Sequence, residues 1–431
     1  MRREVPLASL SQVPAATDRV QPLDVLHEQD ADRDQALVPI RYERMAADPF
    51  AFLRGAAAVM AADLHQLPTS GIRVQLCGDA HVANFGMFAS AERTIVFDVN
   101  DFDETLPGPF DWDVRRLVAS AAVAAQVNGH GDKTARKAAR EAGRRYRETM
   151  AALSQMSTLA AWFVKLDLDS LATALEGTHL EGEISRQGRK AEQRTGDAAA
   201  AKLTEVVDGQ RRFRSDPPLL VPLADADPKG TLQRLAPVYE QYLETLEPDR
   251  AALFGHYSFV DLAQKVVGVG SVGTRSAVLL LESGDGDPLL LQVKQAMASV
   301  LEPYLGQSQF ANHAQRVVVG QRLMQATGDP FLGWVRGGPN GDQDFYLRQL
   351  HDMKGGIDTA RLSGKALIEY AGLCGAVLAR AHGRVGDPSL VSGYLGDTEE
   401  FDEAVADFAM GYSALNASDH AALVASRAAA S

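Results

Sequence analysis

Gly78-Asp79-Ala80-His81-Val82-Ala83-Asn84-Phe85-Gly86 is the stretch on which the reading of the chain turns. It follows Ile72-Arg73-Val74-Gln75-Leu76, whose alternating apolar residues predict a short strand, so the polar residues after it fall in a loop. The loop places an asparagine five positions after an aspartate. Phosphoryl transfer needs a carboxylate beside the attacking hydroxyl and an amide oxygen on a nearby metal ion, and this spacing supplies both. The plainer account is a polar turn closed by its own Asx hydrogen bonds.

Just downstream stands Val96-Phe97-Asp98-Val99-Asn100-Asp101-Phe102-Asp103-Glu104. A carboxylate leaving the end of an apolar strand is where a hard cation such as Mg²⁺ is held through oxygen. Asp98, Asp101 and Asp103 are all candidates. An acidic surface loop would explain the charges equally well, but Phe97, Val99 and Phe102 are interleaved with them, which a merely solvated loop does not need. So many carboxylates packed beside Asp79 would repel one another without a cation or a basic partner.

A third motif, Gly268-Val269-Gly270-Ser271-Val272-Gly273, lies far along the chain. A dinucleotide-binding turn of this form opens a helix, whereas here a β-hairpin follows: Ser276 to Leu281 and Leu289 to Val293, joined by Glu282 to Pro288. The second apolar run ends in Leu291-Gln292-Val293-Lys294. A glycine turn, a hairpin and a strand lysine form the arrangement of a kinase phosphate-covering loop and its phosphate-binding lysine. A flexible hairpin with a surface lysine is the alternative.

The remaining chain sets the frame. It has 431 residues with 43 Lys plus Arg against 56 Asp plus Glu, a net charge of −13. That balance argues against a dedicated nucleic-acid binder. No run reaches the roughly 18–20 apolar residues of a membrane span. Two cysteines, Cys77 and Cys374, support neither a disulfide scaffold nor a thiolate zinc site. A cytoplasmic protein is expected, with oligomeric state undetermined. Residues 1–40 lack periodicity and predict a loose tail. Residues 41–247 predict a mainly helical part carrying the first two motifs, helical throughout 131–215. Residues 250–352 predict a β-rich part, and 353–431 predict helices packing back on the first.

Gly78-Asp79-Ala80-His81 through Asn84, the acidic strand end, and Phe110-Asp111-Trp112-Asp113-Val114-Arg115-Arg116-Leu117 resemble the aminoglycoside phosphotransferase and choline kinase branch of the protein-kinase-like superfamily. Over nearly its full length the chain more closely resembles a bacterial family known as domain of unknown function 2252. Pro49-Phe50-Ala51-Phe52-Leu53-Arg54-Gly55 and Tyr346-Leu347-Arg348-Gln349-Leu350 are among the segments that carry this. The kinase resemblance implies an α+β two-lobe fold, circularly permuted because the glycine loop follows the catalytic loop. It implies that Asp79 is the catalytic base and Asn84 a metal ligand. Asp101 resembles the second metal ligand, with Asp98 and Asp103 as alternatives. Gly268, Gly270, Gly273 and Lys294 resemble the phosphate-binding residues, and Glu302 is the nearest acidic partner for the lysine.

The function expected is an ATP- and Mg²⁺-dependent phosphotransferase acting on a hydroxyl-bearing small molecule. A kinase-like nucleotide-binding pseudoenzyme and an AMP transferase are the alternatives. His81 is expected to bond its neighbours, and Arg348, His351 and Lys354 to form a solvated edge.

Overall fold

The computed structural model describes residues 5–217, 219–223, 238–265, 273–337, 341–350 and 353–430. Its helices that bear on function are α1 (Pro22–Asp30), α2 (Val38–Met45), α3 (Pro49–Gly55), α4 (Ala57–His65), α5 (Phe110–Val127), α6 (Gly131–Ser154), α7 (Gly196–Leu203), α8 (His313–Met324), α9 (Gly364–Val385) and α10 (Glu400–Ala430). Its strands are β1 (Arg73–Leu76), β2 (Phe85–Ala89), β3 (Ile95–Val99), β4 (Leu106–Pro109), β5 (Thr204–Val207), β6 (Gln210–Phe213), β7 (Leu220–Pro222), β8 (Tyr257–Lys265), β9 (Ser276–Ser283), β10 (Pro288–Ala296), β11 (Gly333–Gly337), β12 (Gln343–Gln349) and β13 (Gly355–Gly356). The fold is α+β.

Two short antiparallel ladders organise the first half. β1 pairs with β4, ending at Leu76 opposite Leu106, and β2 pairs with β3, beginning at Phe85 opposite Val99. Residues 77–84 and 100–105 are therefore clamped at both ends and must run side by side. The apolar runs predict β1 and β3; β2 and β4, expected as loop, pair with them and bring the two polar loops together.

The large sheet is antiparallel, in the order β11-β12-β10-β9-β8-β7. Its central hairpin forms at the expected place. Gly286 takes the positive φ of 88° that the turn requires, and Ser283 N bonds Asp287 O at 3.0 Å. Both faces are covered. Leu281, Leu289 and Leu291 pack with Tyr242, Phe254 and Phe331, and Val278, Leu280 and Leu290 pack with Ala200 of α7 and Phe213 of β6. Register puts Lys294 opposite Ser276 and Tyr346, and Gln292 opposite Arg348, so these side chains share one face.

The helical core is built on α5, buried from Phe110 to Ala125 as its apolar run predicts, with α6, α9 and α10 packed around it. Three expectations need correction. Residues 204–213 form a β-hairpin rather than helix. Asp208-Gly209 supplies positive φ at both turn positions, 51° and 78°, the pair that a tight hairpin turn needs. β7, placed by sequence in the helical part, completes the large sheet through Leu220 opposite Lys265. Of the part expected to span 41–247, residues 218 and 224–237 lie outside the described residues.

The third correction concerns residues 1–40, which are packed rather than loose. Leu7, Leu10 and Leu26 are fully buried, each worth about 1.5–3 kcal/mol of transfer free energy. Arg19 bridges Asp63 of α4 and Asp419 of α10, with contacts of 2.7 Å to each. Arg41 is buried against Asp30 at 2.6 Å. Arg19→Ala is expected to cost about 2 kcal/mol, because two nearly buried carboxylates lose their shared cation. Urea denaturation measures it, and a loss below about 0.5 kcal/mol would show that the segment is not clamped there.

Candidate functional site

The Cys77–Asn84 loop is held from behind. Asp113, in the first turn of α5, accepts the backbone amides of Cys77 at 2.8 Å and Gly78 at 3.0 Å. His382 of α9 touches the same carboxylate at 3.1 Å and is itself bonded to the Tyr146 hydroxyl at 2.9 Å. Gly78 has φ 86°, and a Cβ there would meet the Glu104 carbonyl, so glycine is required where the two loops cross.

Asp79 projects from this loop with its Oδ1 against the Arg116 guanidinium, at 2.6 Å from Nη2 and 2.8 Å from Nε. Its Oδ2 lies 3.6 Å from His81 Nε2 and accepts no hydrogen bond among the described residues, which leaves it able to take a proton. Burial raises the Asp79 carboxyl above its ordinary value, with Arg116 and Arg54 opposing. Burial and the same two arginines push His81 well below its usual value, so its ring is neutral, and its Nδ1 is buried without a hydrogen bond. Asn84 donates its Nδ2 to the Asp79 carbonyl at 2.8 Å. Its own carbonyl accepts from Asn100 N at 2.9 Å, one residue before Asp101. Among the described residues no donor reaches Asn84 Oδ1.

The acidic loop sorts its carboxylates by neighbour. Asp98 does not face this site. It is 2 % exposed, paired with Arg380 of α9, and accepts the Ala326 amide at 3.1 Å. That corrects the expectation that Asp98 is a candidate metal ligand, since a guanidinium occupies it. Asp103 pairs with Lys294 Nζ at 2.6 Å and accepts the Tyr346 hydroxyl at 2.6 Å. Burial opposes the ionisation of both partners, but their attraction wins, holding Lys294 above and Asp103 below its usual value. Among the described residues Asp101 has one weak donor, Asp103 N at 3.3 Å, and burial together with the Asp103 charge raises it. Burial also raises Glu104, to about 7. Arg316 of α8 donates to the carbonyls of Asp103, Thr105 and Met297, each at 2.8 Å, and so fixes the loop's course.

The lysine's partner is therefore not Glu302, which accepts Ser299 N at 3.2 Å and lies 3.8 Å from Arg316 and from His313. Nearness in sequence pointed to Glu302, whereas the ladder geometry delivers Asp103 from 191 residues away. Tyr346 went unassigned in the sequence. Its parity with Lys294 across β10 and β12 is the signal that would have found it. Gly268 and Gly270 lie outside the described residues. Gly273 has φ 90°, and its carbonyl accepts from Asp34 N at 2.8 Å.

A cavity of about 300 Å³ opens between α1, the acidic loop and the segment after the glycine turn. Gln29, Arg33, Asp103, Glu104, Thr274 and Tyr304 are among its walls. Among the described residues no three His, Cys, Asp or Glu side chains close on one point. Asp101 and Asn84 offer under-used oxygens, the donor type that a hard cation such as Mg²⁺ takes.

Residues 33–426 match the family described as uncharacterized protein conserved in bacteria (DUF2252), and the chain belongs to that family. No curated protein and no solved structure matches it. No helix among the described residues is long and apolar enough to cross a membrane.

Proposed function

We propose that the protein is an ATP- and Mg²⁺-dependent phosphotransferase with a permuted kinase-like arrangement, acting in the cytoplasm on a hydroxyl-bearing small molecule. The observation that carries this is the 2.6 Å contact between Lys294, on the third strand counted from the one that enters the glycine turn, and the acidic loop beside Asp79. A kinase brings its strand lysine beside the loop that carries the metal-binding carboxylate.

In this reading Lys294 and the glycine turn hold phosphate oxygens, and Asp101 with Asn84 holds the ion. When bound, Mg²⁺ neutralises charge on the transferring phosphoryl group. Asp79 Oδ2 accepts the acceptor's hydroxyl proton as that oxygen forms its bond to the γ-phosphorus and the bond to the β-phosphate oxygen breaks, releasing ADP. Arg116 keeps Asp79 oriented throughout. The 300 Å³ cavity bordered by Asp103 and Glu104 is where the acceptor enters.

A second reading, nucleotide binding without transfer, is favoured by one fact. α8 presents Arg316 to the acidic loop and contains no carboxylate to pair with Lys294. Calorimetric titration with ATP, with and without Mg²⁺, tests both. Binding at micromolar ATP that strengthens about tenfold with the metal and disappears in Lys294→Ala is expected. Binding indifferent to Lys294→Ala rejects the site. Metal-dependent binding with no ADP formed on screening acceptors selects the second reading.

A further inference from the structure

A second, smaller cavity of about 50 Å³ lies on the other side of Asn100, where β12 ends against the β2–β3 ladder. Its walls include Asn100, Gln321, Gln325, Asp329, Arg348 and Lys354. Arg348 shares a sheet face with Lys294 but lacks that residue's carboxylate. Its Nη1 donates to the Asn100 carbonyl at 3.2 Å and its Nε to Gln292 Oε1 at 3.2 Å, and among the described residues no carboxylate comes within ion-pair distance. The Lys354 ammonium has no hydrogen bond or ion pair among the described residues, and neither does the side-chain amide of Asn100. Asp329, the carboxylate in the wall, accepts the amides of Phe331 at 2.8 Å and Gln349 at 2.5 Å.

Two half-buried cations thus face one small polar cavity with no carboxylate in ion-pair contact among the described residues, beside an amide with unused donors. Such an arrangement is costly when empty and is relieved by an anion. We propose that Arg348, Lys354 and Asn100 form a seat for a tetrahedral oxyanion, a phosphate group of a ligand. The seat rests on the cavity and its cations, independently of the phosphotransfer reading. The charges facing Lys354 come from every neighbouring element: Arg348 on β12, Lys294 on β10, Asp101 in the acidic loop and Asp329 after α8. Arg348 and burial outweigh the two carboxylates and bring the ammonium down to about 7. An anion between the two cations reverses that.

The probe is sulfate, whose charge is constant over the range examined, titrated calorimetrically into the full chain. Binding is expected to weaken about tenfold from roughly pH 6 to roughly pH 8.5 as Lys354 loses its proton. Lys354→Met is expected to weaken binding about tenfold or more and to abolish that pH dependence, with Arg348→Gln weakening it similarly and circular dichroism unchanged. Lys294→Met serves as the comparison, since it disables the proposed nucleotide site. Titrating ATP then separates two sources of the phosphate. ATP affinity lost in Lys354→Met assigns the seat to the nucleotide, and ATP affinity kept while sulfate binding is lost assigns it to a phosphate on another ligand. Sulfate binding that is absent, or unchanged in Lys354→Met, overturns the seat whatever Lys294→Met does.

Discussion

Asp101→Asn is expected to slow ADP release from ATP·Mg²⁺ by about 10³-fold under the proposed function, and to leave the fold as stable as before or slightly more so. The two halves have one cause. Asp101 is buried beside the Asp103 charge and receives a single weak hydrogen bond among the described residues, so folding raises its affinity for a proton. A group raised in the folded state is destabilising when ionised at neutral pH, and the neutral amide removes that cost. What it also removes is the anionic oxygen offered to the ion. Asp103→Asn has the opposite sign. Its folded-state value is depressed by Lys294, so its carboxylate stabilises at neutral pH and that stability is lost as pH falls through the depressed value. The variant should be less stable than the parent at about pH 7, and the gap should narrow below about pH 4. ADP-release assays and thermal melts at several pH values give both results. Full activity in Asp101→Asn would remove it from the metal site.

Arg380→Met should cost about 3–5 kcal/mol in equilibrium unfolding, the largest stability effect expected of a single side chain here. Arg380 and Asp98 are each 2 % exposed and face each other between α9 and β3, and Arg380 also donates to the Met324 carbonyl at 2.9 Å. Truncation strands a carboxylate in the core with the Val99 and Ala326 amides as its remaining hydrogen-bond donors among the described residues. Replacing both partners, Asp98→Leu with Arg380→Met, should recover much of the loss, since no buried charge is left. A loss under about 1 kcal/mol for Arg380→Met would mean that Asp98 finds another cation.

What could be read from the chain beforehand follows from how local each signal is. The strand before Asp79, the strand that leads into the acidic loop and the β9–β10 hairpin rest on alternation and turn residues within about ten positions, and they appear where expected. The Asp208-Gly209 turn was equally local but lay in a charge-rich stretch whose helical composition masked it. The N-terminal segment was opaque for a different reason. Leu7, Leu10 and Leu26 show no period because they fit cavities made by distant helices, and Arg19 finds Asp419 across 400 residues. In the site, Asp79, Asn84 and the acidic loop could be proposed from spacing, whereas which carboxylate meets Lys294 and which meets Arg380 depends on sheet register and helix packing.

The wall that α1 contributes to the 300 Å³ cavity bears on how the protein is made for study. The family match begins at residue 33, and Glu28 and Gln29 lie outside it. An expression clone trimmed to the matched span would lack Arg19, Leu26 and one side of the cavity together. It would expose apolar surface on α4 and α10, and any acceptor screen run on it would probe a vessel with one side missing. Screening libraries belong on the 431-residue chain, with purification tags kept away from the segment that closes the cavity.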